Sequence, residues 1–266
     1  MTTTRVLDGS SAGGQFLRTA LALSVLANEP VRLENVRGDR PDPGLAHQHL
    51  AALEAIAAIC DADVSGDELG AATVAFEPGL ETDSGPLAGG EYAVDIGTAG
   101  SVTLLFETLL PLATVLESPL SVTVTGGTDV AWSPPLDYFR YVKLPLFRRF
   151  GLAAAFEVDR RGFYPDGGGR ATLQLAPSDL ERIDLVDRGP VESLRLYSTE
   201  SASLADRDVA HRQAEGALER LDRETVPTLA ERCETTAESA CPGCALVVRL
   251  DHGTGVAGFS ALGERG

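Results

Sequence analysis

The chain has 266 residues, 44% of them apolar, and sets 39 acids against 22 bases for a formal charge of −17. That length supplies one large or two modest domains with a sizeable core, and no apolar run is long enough to span a bilayer. So acidic a chain repels nucleic acid at low salt. Lys143 is the only lysine, and the combination reads as adaptation to a salty cytoplasm; at molar salt the Debye length is roughly 3 Å, so bulk charge does not forbid an RNA partner there.

Met1-Thr-Thr-Thr-Arg5 shows no signal-peptide pattern and leads straight into a strand, so a cytoplasmic location is expected. A turn of small residues, Asp8 to Gln15, then opens an apolar helix over Phe16–Leu26. A strand at Val31–Val36 follows, then a turn containing Pro41-Asp-Pro43 and a helix from Leu45 to Cys60, with Cys60 in the core. Two strands, Ala62–Ser65 and Ala72–Phe76, close the series.

An offset of about ninety residues brings the same series round again. Val94-Asp-Ile-Gly-Thr-Ala-Gly-Ser101 runs into a helix at Val102–Pro111. The strand Leu120–Thr125 leads through Gly126-Gly-Thr-Asp129 and Pro134-Pro135 to a helix over Asp137–Phe150, and strands follow at Ala153–Val158 and Ala171–Leu175. Each copy reads βαβαββ, two helices on one face of a four-stranded sheet. The expected class is therefore α+β, with repeats over 1–89 and 90–182. A small inserted α/β domain over 183–266 follows: a strand at Leu194–Tyr197, a polar helix over Asp206–Leu221, a second helix around Thr225–Glu234, a strand at Ala245–Leu250 and a strand-like Val256–Phe259.

The stretch Arg160-Arg-Gly-Phe-Tyr-Pro-Asp-Gly-Gly-Gly169 invites a phosphate-loop reading, yet such a loop opens a helix. Arg170 to Leu175 alternates apolar and polar residues and ends near Pro177, which is a strand. The glycines are thus a backbone constraint between two strands. Cys241-Pro-Gly-Cys244 has the gap of a zinc knuckle that Cys233 and His252 would complete, or else it is a turn before a strand.

Together these segments resemble the RNA 3′-terminal phosphate cyclases. The motif R-G-x-x-P-x-G-G-G fits Arg161 to Gly169. Four more segments agree in order: Asp8-Gly9 through Gln15 and Arg18, Asn35 through Leu50, Ile96 through Ser101, and Gly126 through Pro135. The resemblance implies a three-repeat fold, similar to the enolpyruvyl transferases, with a small domain inserted before the third repeat, so that 183–266 would hold the inserted domain and the start of that third repeat. It implies ATP and magnesium (or manganese), and RNA 3′-phosphate ends as partners. The implied chemistry passes AMP from ATP through a histidine to the 3′-phosphate, where the neighbouring 2′-hydroxyl displaces it to leave a 2′,3′-cyclic phosphate.

Carried over position by position, Gln15, Arg18, Arg37, Arg40 and Gln48 match residues lining the phosphate and nucleotide pocket, and Pro135 and Tyr138 match residues packed on adenine. Arginine's planar fork suits phosphate, and no lysine stands near Arg37 and Arg40 in the sequence to replace it. Two positions depart from the family pattern. Ser11 stands where the family has a metal-binding glutamate, a much weaker ligand for a hard cation. Glu107 stands where it has an ATP-contacting glutamine, and so becomes a candidate metal ligand, the metal site itself being unknown. None of His47, His49, His211 or His252 corresponds to the AMP-accepting histidine, which lies in the third repeat beyond the chain end, and His211 reads as solvated. The chain is thus expected to act as a cyclase, or else as a truncated, inactive cyclase or a non-catalytic RNA-binding protein of the ribosome-assembly kind. Helix faces left uncovered predict an exposed apolar surface and a homodimer.

Overall fold

The computed structural model describes residues 4–80, 86–221 and 228–263. Its first sheet has the order β1-β2-β4-β3, formed by β1 (Arg5–Asp8), β2 (Val31–Glu34), β3 (Asp63–Ser65) and β4 (Val74–Glu77), with α1 (Gly14–Ala27) and α2 (His47–Cys60) as the crossovers. The second sheet repeats this topology, β5-β6-β8-β7, from β5 (Gly90–Asp95), β6 (Leu120–Gly126), β7 (Ala154–Arg160) and β8 (Gly169–Leu175). In both, the first two strands pair parallel and the rest antiparallel. Each βαβ crossover places a helix on the face where apolar side chains recur at period two, as in the alternating burial of β6 and β8. One core joins the repeats, from Leu21, Leu53 and Ile56 across to Phe106, Val122 and Leu173.

The second repeat's first helix, α3 (Val102–Leu109), is capped by Ser101, whose Oγ accepts the Leu104 N–H at 3.2 Å, and it continues as a 3₁₀ turn over Leu110–Thr114. The second helix, expected as one run over Asp137–Phe150, is broken: α4 (Leu136–Tyr138), a π turn over Phe139–Lys143, then α5 (Leu144–Arg148). Pro145 is the cause. It has no N–H to offer the carbonyl of Tyr141, and that carbonyl instead accepts Arg249 Nη1 at 2.9 Å.

The third sheet, β10-β9-β11-β12, comprises β9 (Val191–Ser201), β10 (Leu229–Ala237), β11 (Cys244–His252) and β12 (Val256–Leu262), with α6 (Val209–Arg220) between β9 and β10. The expected helix around Thr225–Glu234 is corrected here: from Leu229 the chain is a strand paired parallel to β9, and 222–227 lie outside the described residues. The unit docks firmly on the second repeat. Tyr197 stacks on Tyr141 with ring centroids 3.7 Å apart, and Thr199 Oγ1 donates to Asp137 Oδ2 at 2.9 Å. The Cys241 thiol approaches the Phe163 carbonyl at 3.3 Å.

The zinc reading is not assembled. Cys241 is spent on Phe163, His252 Nδ1 lies 2.9 Å from the Gly189 carbonyl, and among the described residues no three His, Cys, Asp or Glu side chains gather as a metal cluster. Cys60 is buried in the core. The triple glycine closes the β7–β8 connection, with Gly169 already the first residue of β8. Gly167 and Gly168 have left-handed backbones, φ 62° and 66°, and a Cβ on Gly162 would collide with the Gly169 nitrogen.

Candidate functional site

Where the two repeats and the third sheet meet lies a cavity of about 1140 Å³. The first repeat contributes Gln15 and Arg18 from α1, Arg40 from the loop after β2, and Gln48 and His49 from α2. The second contributes Leu104 and Glu107 from α3, Trp132 to Pro134 from the loop after β6, Tyr138, and Lys143. The third sheet closes one side with Gly258, Phe259 and Ser260 of β12. β12 comes this close because residue 258 is a glycine; a Cβ there would run into Val142 and Tyr138.

The Gly13-Gly14 turn makes room for two of the polar groups. A Cβ on Gly13 would sit 3.2 Å from an Arg40 guanidinium nitrogen, and one on Gly14 would collide with the His49 ring. His49 Nδ1 accepts the Ala46 N–H at 3.2 Å, so the neutral ring carries its proton on Nε2, the edge facing Gly14. Burial first, then the charges of Arg37 and Arg18, hold His49 down to about 4, leaving it neutral at pH 7. A ring with one nitrogen occupied and the other protonated is a donor, not a nucleophile.

Burial also lowers the pKa of Arg18, and the Glu107 carboxylate offsets part of this, so Arg18 remains a cation in a half-buried setting. Glu107 is held by Lys143, Oε1 to Nζ 2.5 Å. Gln48 Oε1 faces the Ser101 N–H at 3.4 Å, which leaves its amide nitrogen as the end with protons to offer a ligand.

Of the residues singled out in the sequence, Gln15, Arg18, Arg40, Gln48, Glu107 and Tyr138 line this one cavity. Arg37 and Pro135 do not. Arg37 has a left-handed backbone, φ 54°, and its Nη1 donates to the Gly44 carbonyl at 2.8 Å. Pro135 is the residue that starts α4, and its neighbour Pro134 reaches the cavity instead. The absence of a lysine near Arg40 holds only along the chain; in space Lys143 lines the same cavity. Being the chain's one lysine was the available signal. Trp132, its one tryptophan, and Phe259 were also missed. His211 is exposed, as expected, and its Nδ1 lies 3.3 Å from Glu234 Oε2 at the surface.

Glu107, the only carboxylate among the described residues on the cavity lining, is engaged by Lys143. These residues do not by themselves fit a protein-held divalent cation, which prefers several free oxygen ligands. What the cavity offers is a set of cations and N–H donors, Arg18, Arg40, Lys143, Gln48 and His49, suited to a phosphorylated ligand.

Behind the cavity lies a buried ion network. Arg161 reaches Asp129 Oδ2 at 3.1 Å and Asp137 Oδ1 at 2.6 Å, and Asp129 Oδ1 accepts the Leu136 N–H at 3.2 Å. Burial alone would lower the Arg161 pKa, but the two carboxylates outweigh it and raise it above its ordinary value.

Comparison with known proteins gives this arrangement its relatives. The family model described as RNA 3′-terminal phosphate cyclase matches residues 10–258. A protein of that name from Halobacterium salinarum is 48% identical over 98% of this chain and 76% of its own length. Those from Methanopyrus kandleri and Archaeoglobus fulgidus are 43% and 41% identical, again over 98% of this chain and over 74% and 75% of theirs. The chain belongs to the RNA 3′-terminal phosphate cyclase family.

Proposed function

We propose that the chain works in the ATP-dependent conversion of an RNA 3′-phosphate to a 2′,3′-cyclic phosphate, with the cavity at the meeting of the repeats holding the phosphates. The observation that carries this is the convergence of Arg18, Arg40 and Lys143 from three separate elements on one cavity in a chain of net charge −17. Cations gathered against so acidic a background mark an anionic ligand. Gln48 and the Nε2–H of His49 add uncharged donors for phosphate oxygens, and Tyr138 and Pro134 offer flat apolar surface for adenine. Magnesium, where used, arrives on the triphosphate, because the one carboxylate among the described lining residues is already paired.

A second reading is binding of ATP and RNA without turnover. It is favoured by the state of His49, whose two nitrogens are an occupied acceptor and a protonated donor. Incubation with ATP and a 3′-phosphorylated RNA, followed by phosphatase, separates the two. Phosphatase-resistant ends that depend on ATP support cyclisation. Bound ATP and RNA with unchanged ends support the binding reading, and no binding of either ligand overturns both.

No helix among the described residues is long and apolar enough to cross a membrane. A salty cytoplasm is the setting the acid-rich composition fits. An apolar groove of about 420 Å³ beside the cavity, with Leu23, Leu26, Pro111 and Phe147 in its wall, is the surface a homodimer would cover.

A further inference from the structure

Trp132 is fully exposed, at 100% of its accessible area, an unusual position for the residue with the largest apolar surface. It is not on a loose loop. Asp129 before it is buried against Arg161, and the Ser133 hydroxyl donates to the Val130 carbonyl at 2.9 Å. The Pro134 carbonyl after it accepts Thr103 Oγ1 at 2.7 Å. The backbone of Trp132 itself is left-handed, φ 61°, which a bulky residue adopts at a cost. The fold therefore holds a bare indole out at the cavity mouth. Phe259, 64% exposed on β12, lines the same cavity.

We infer that Trp132, with Phe259, forms a stacking platform for the terminal nucleobase of the RNA whose 3′-phosphate enters the cavity. This rests on the phosphate-cavity reading above and adds a subsite that reading does not need. A volume of about 1140 Å³ exceeds the usual span of a single small-ligand pocket, roughly 300–1,000 Å³, and leaves room for an RNA end beside ATP. Charge complementarity fixes the polarity: Arg18, Arg40 and Lys143 take the phosphate, and the apolar rim takes the base. With a net charge of −17 the chain has no long-range attraction for RNA. Stacking is short-ranged, insensitive to salt and tolerant of sequence because every base has a π face, so it supplies the affinity that electrostatics does not.

The test uses the intrinsic fluorescence of this only tryptophan and the anisotropy of a 5′-labelled, 3′-phosphorylated oligoribonucleotide, in molar KCl. The intact oligonucleotide is expected to quench the indole. Removing its terminal base, or Trp132→Ala, is expected to weaken binding about five- to 150-fold. Trp132→Phe is expected to restore most of the loss, and the unfolding midpoint of Trp132→Ala to stay at the wild-type value, since the side chain packs on nothing. Equal binding by the abasic oligonucleotide or by Trp132→Ala overturns the inference and leaves the phosphate-cavity reading standing. So does a Trp132→Ala variant that loses ATP but keeps RNA, because the indole then serves adenine. No binding of the oligonucleotide by the wild-type chain overturns the RNA reading together with its subsite.

Discussion

Glu107 lies against Lys143 where a triphosphate would otherwise meet the lysine alone. The carboxylate both repels a polyanion and occupies its counter-ion. Glu107→Gln removes the charge, keeps the shape and releases Lys143, so ATP affinity is expected to rise, by about fivefold for ~1 kcal/mol of partly screened repulsion; equilibrium dialysis reads it. His49 supplies a pH signature. Its pKa of about 4 in the folded chain lies below the ordinary 6.5, so between those values the unfolded chain binds the extra proton. Stability is therefore intact above pH 6.5 and is lost as pH falls towards 4, by about 3 kcal/mol at roughly 1.4 kcal/mol per pKa unit. His49→Gln keeps an acceptor for the Ala46 N–H and has no proton to gain. In urea titrations at pH 7 and pH 4.5 the variant is expected to lose less stability than the wild type. Equal losses would show that other groups carry the acid sensitivity.

At the level of elements, the buried Arg161 network joins three pieces that the sequence shows only as separate motifs. Arg161 stands at the end of β7, Asp129 in the loop after β6, and Asp137 on α4, which in turn accepts from Thr199 of β9. Arg161→Ala leaves two buried carboxylates without a counter-charge and is expected to cost about 3–5 kcal/mol of stability. Arg161→Lys is expected to recover only part of it, because an ammonium cannot fork between two acids; a Lys variant as stable as the wild type would contradict this role. The repeats were legible because their strands alternate at period two and their crossover helices are apolar runs between glycine turns. β10 was not. Leu-Ala-Glu-Arg-Cys-Glu carries no alternation, and it is a strand only because β9 offers a parallel edge. The break in the Asp137–Phe150 helix was signalled by Pro145, yet the partner that makes it tolerable, Arg249, lies over a hundred residues away in sequence.

Over the whole molecule, the cavity is a product of tertiary structure. Arg18, Arg40 and Gln48 could be carried over from motifs because they stand inside them. Lys143, Trp132 and Phe259 come from an interrupted helix, a loop and an edge strand that meet only in the fold. The resemblance also implied Arg37 for the pocket; its Nη1 is spent on the Gly44 carbonyl and it does not line the cavity, although its charge still acts on His49, which does. That the cavity binds the triphosphate through cations from both repeats is tested most directly by titrating ATP into the wild-type chain and Arg18→Ala in molar KCl. Loss of a charge-assisted contact in a half-buried setting is expected to weaken binding about 10- to 150-fold, with the unfolding midpoint little changed. ATP affinity that is the same in both proteins would place the nucleotide elsewhere and contradict the assignment of this cavity.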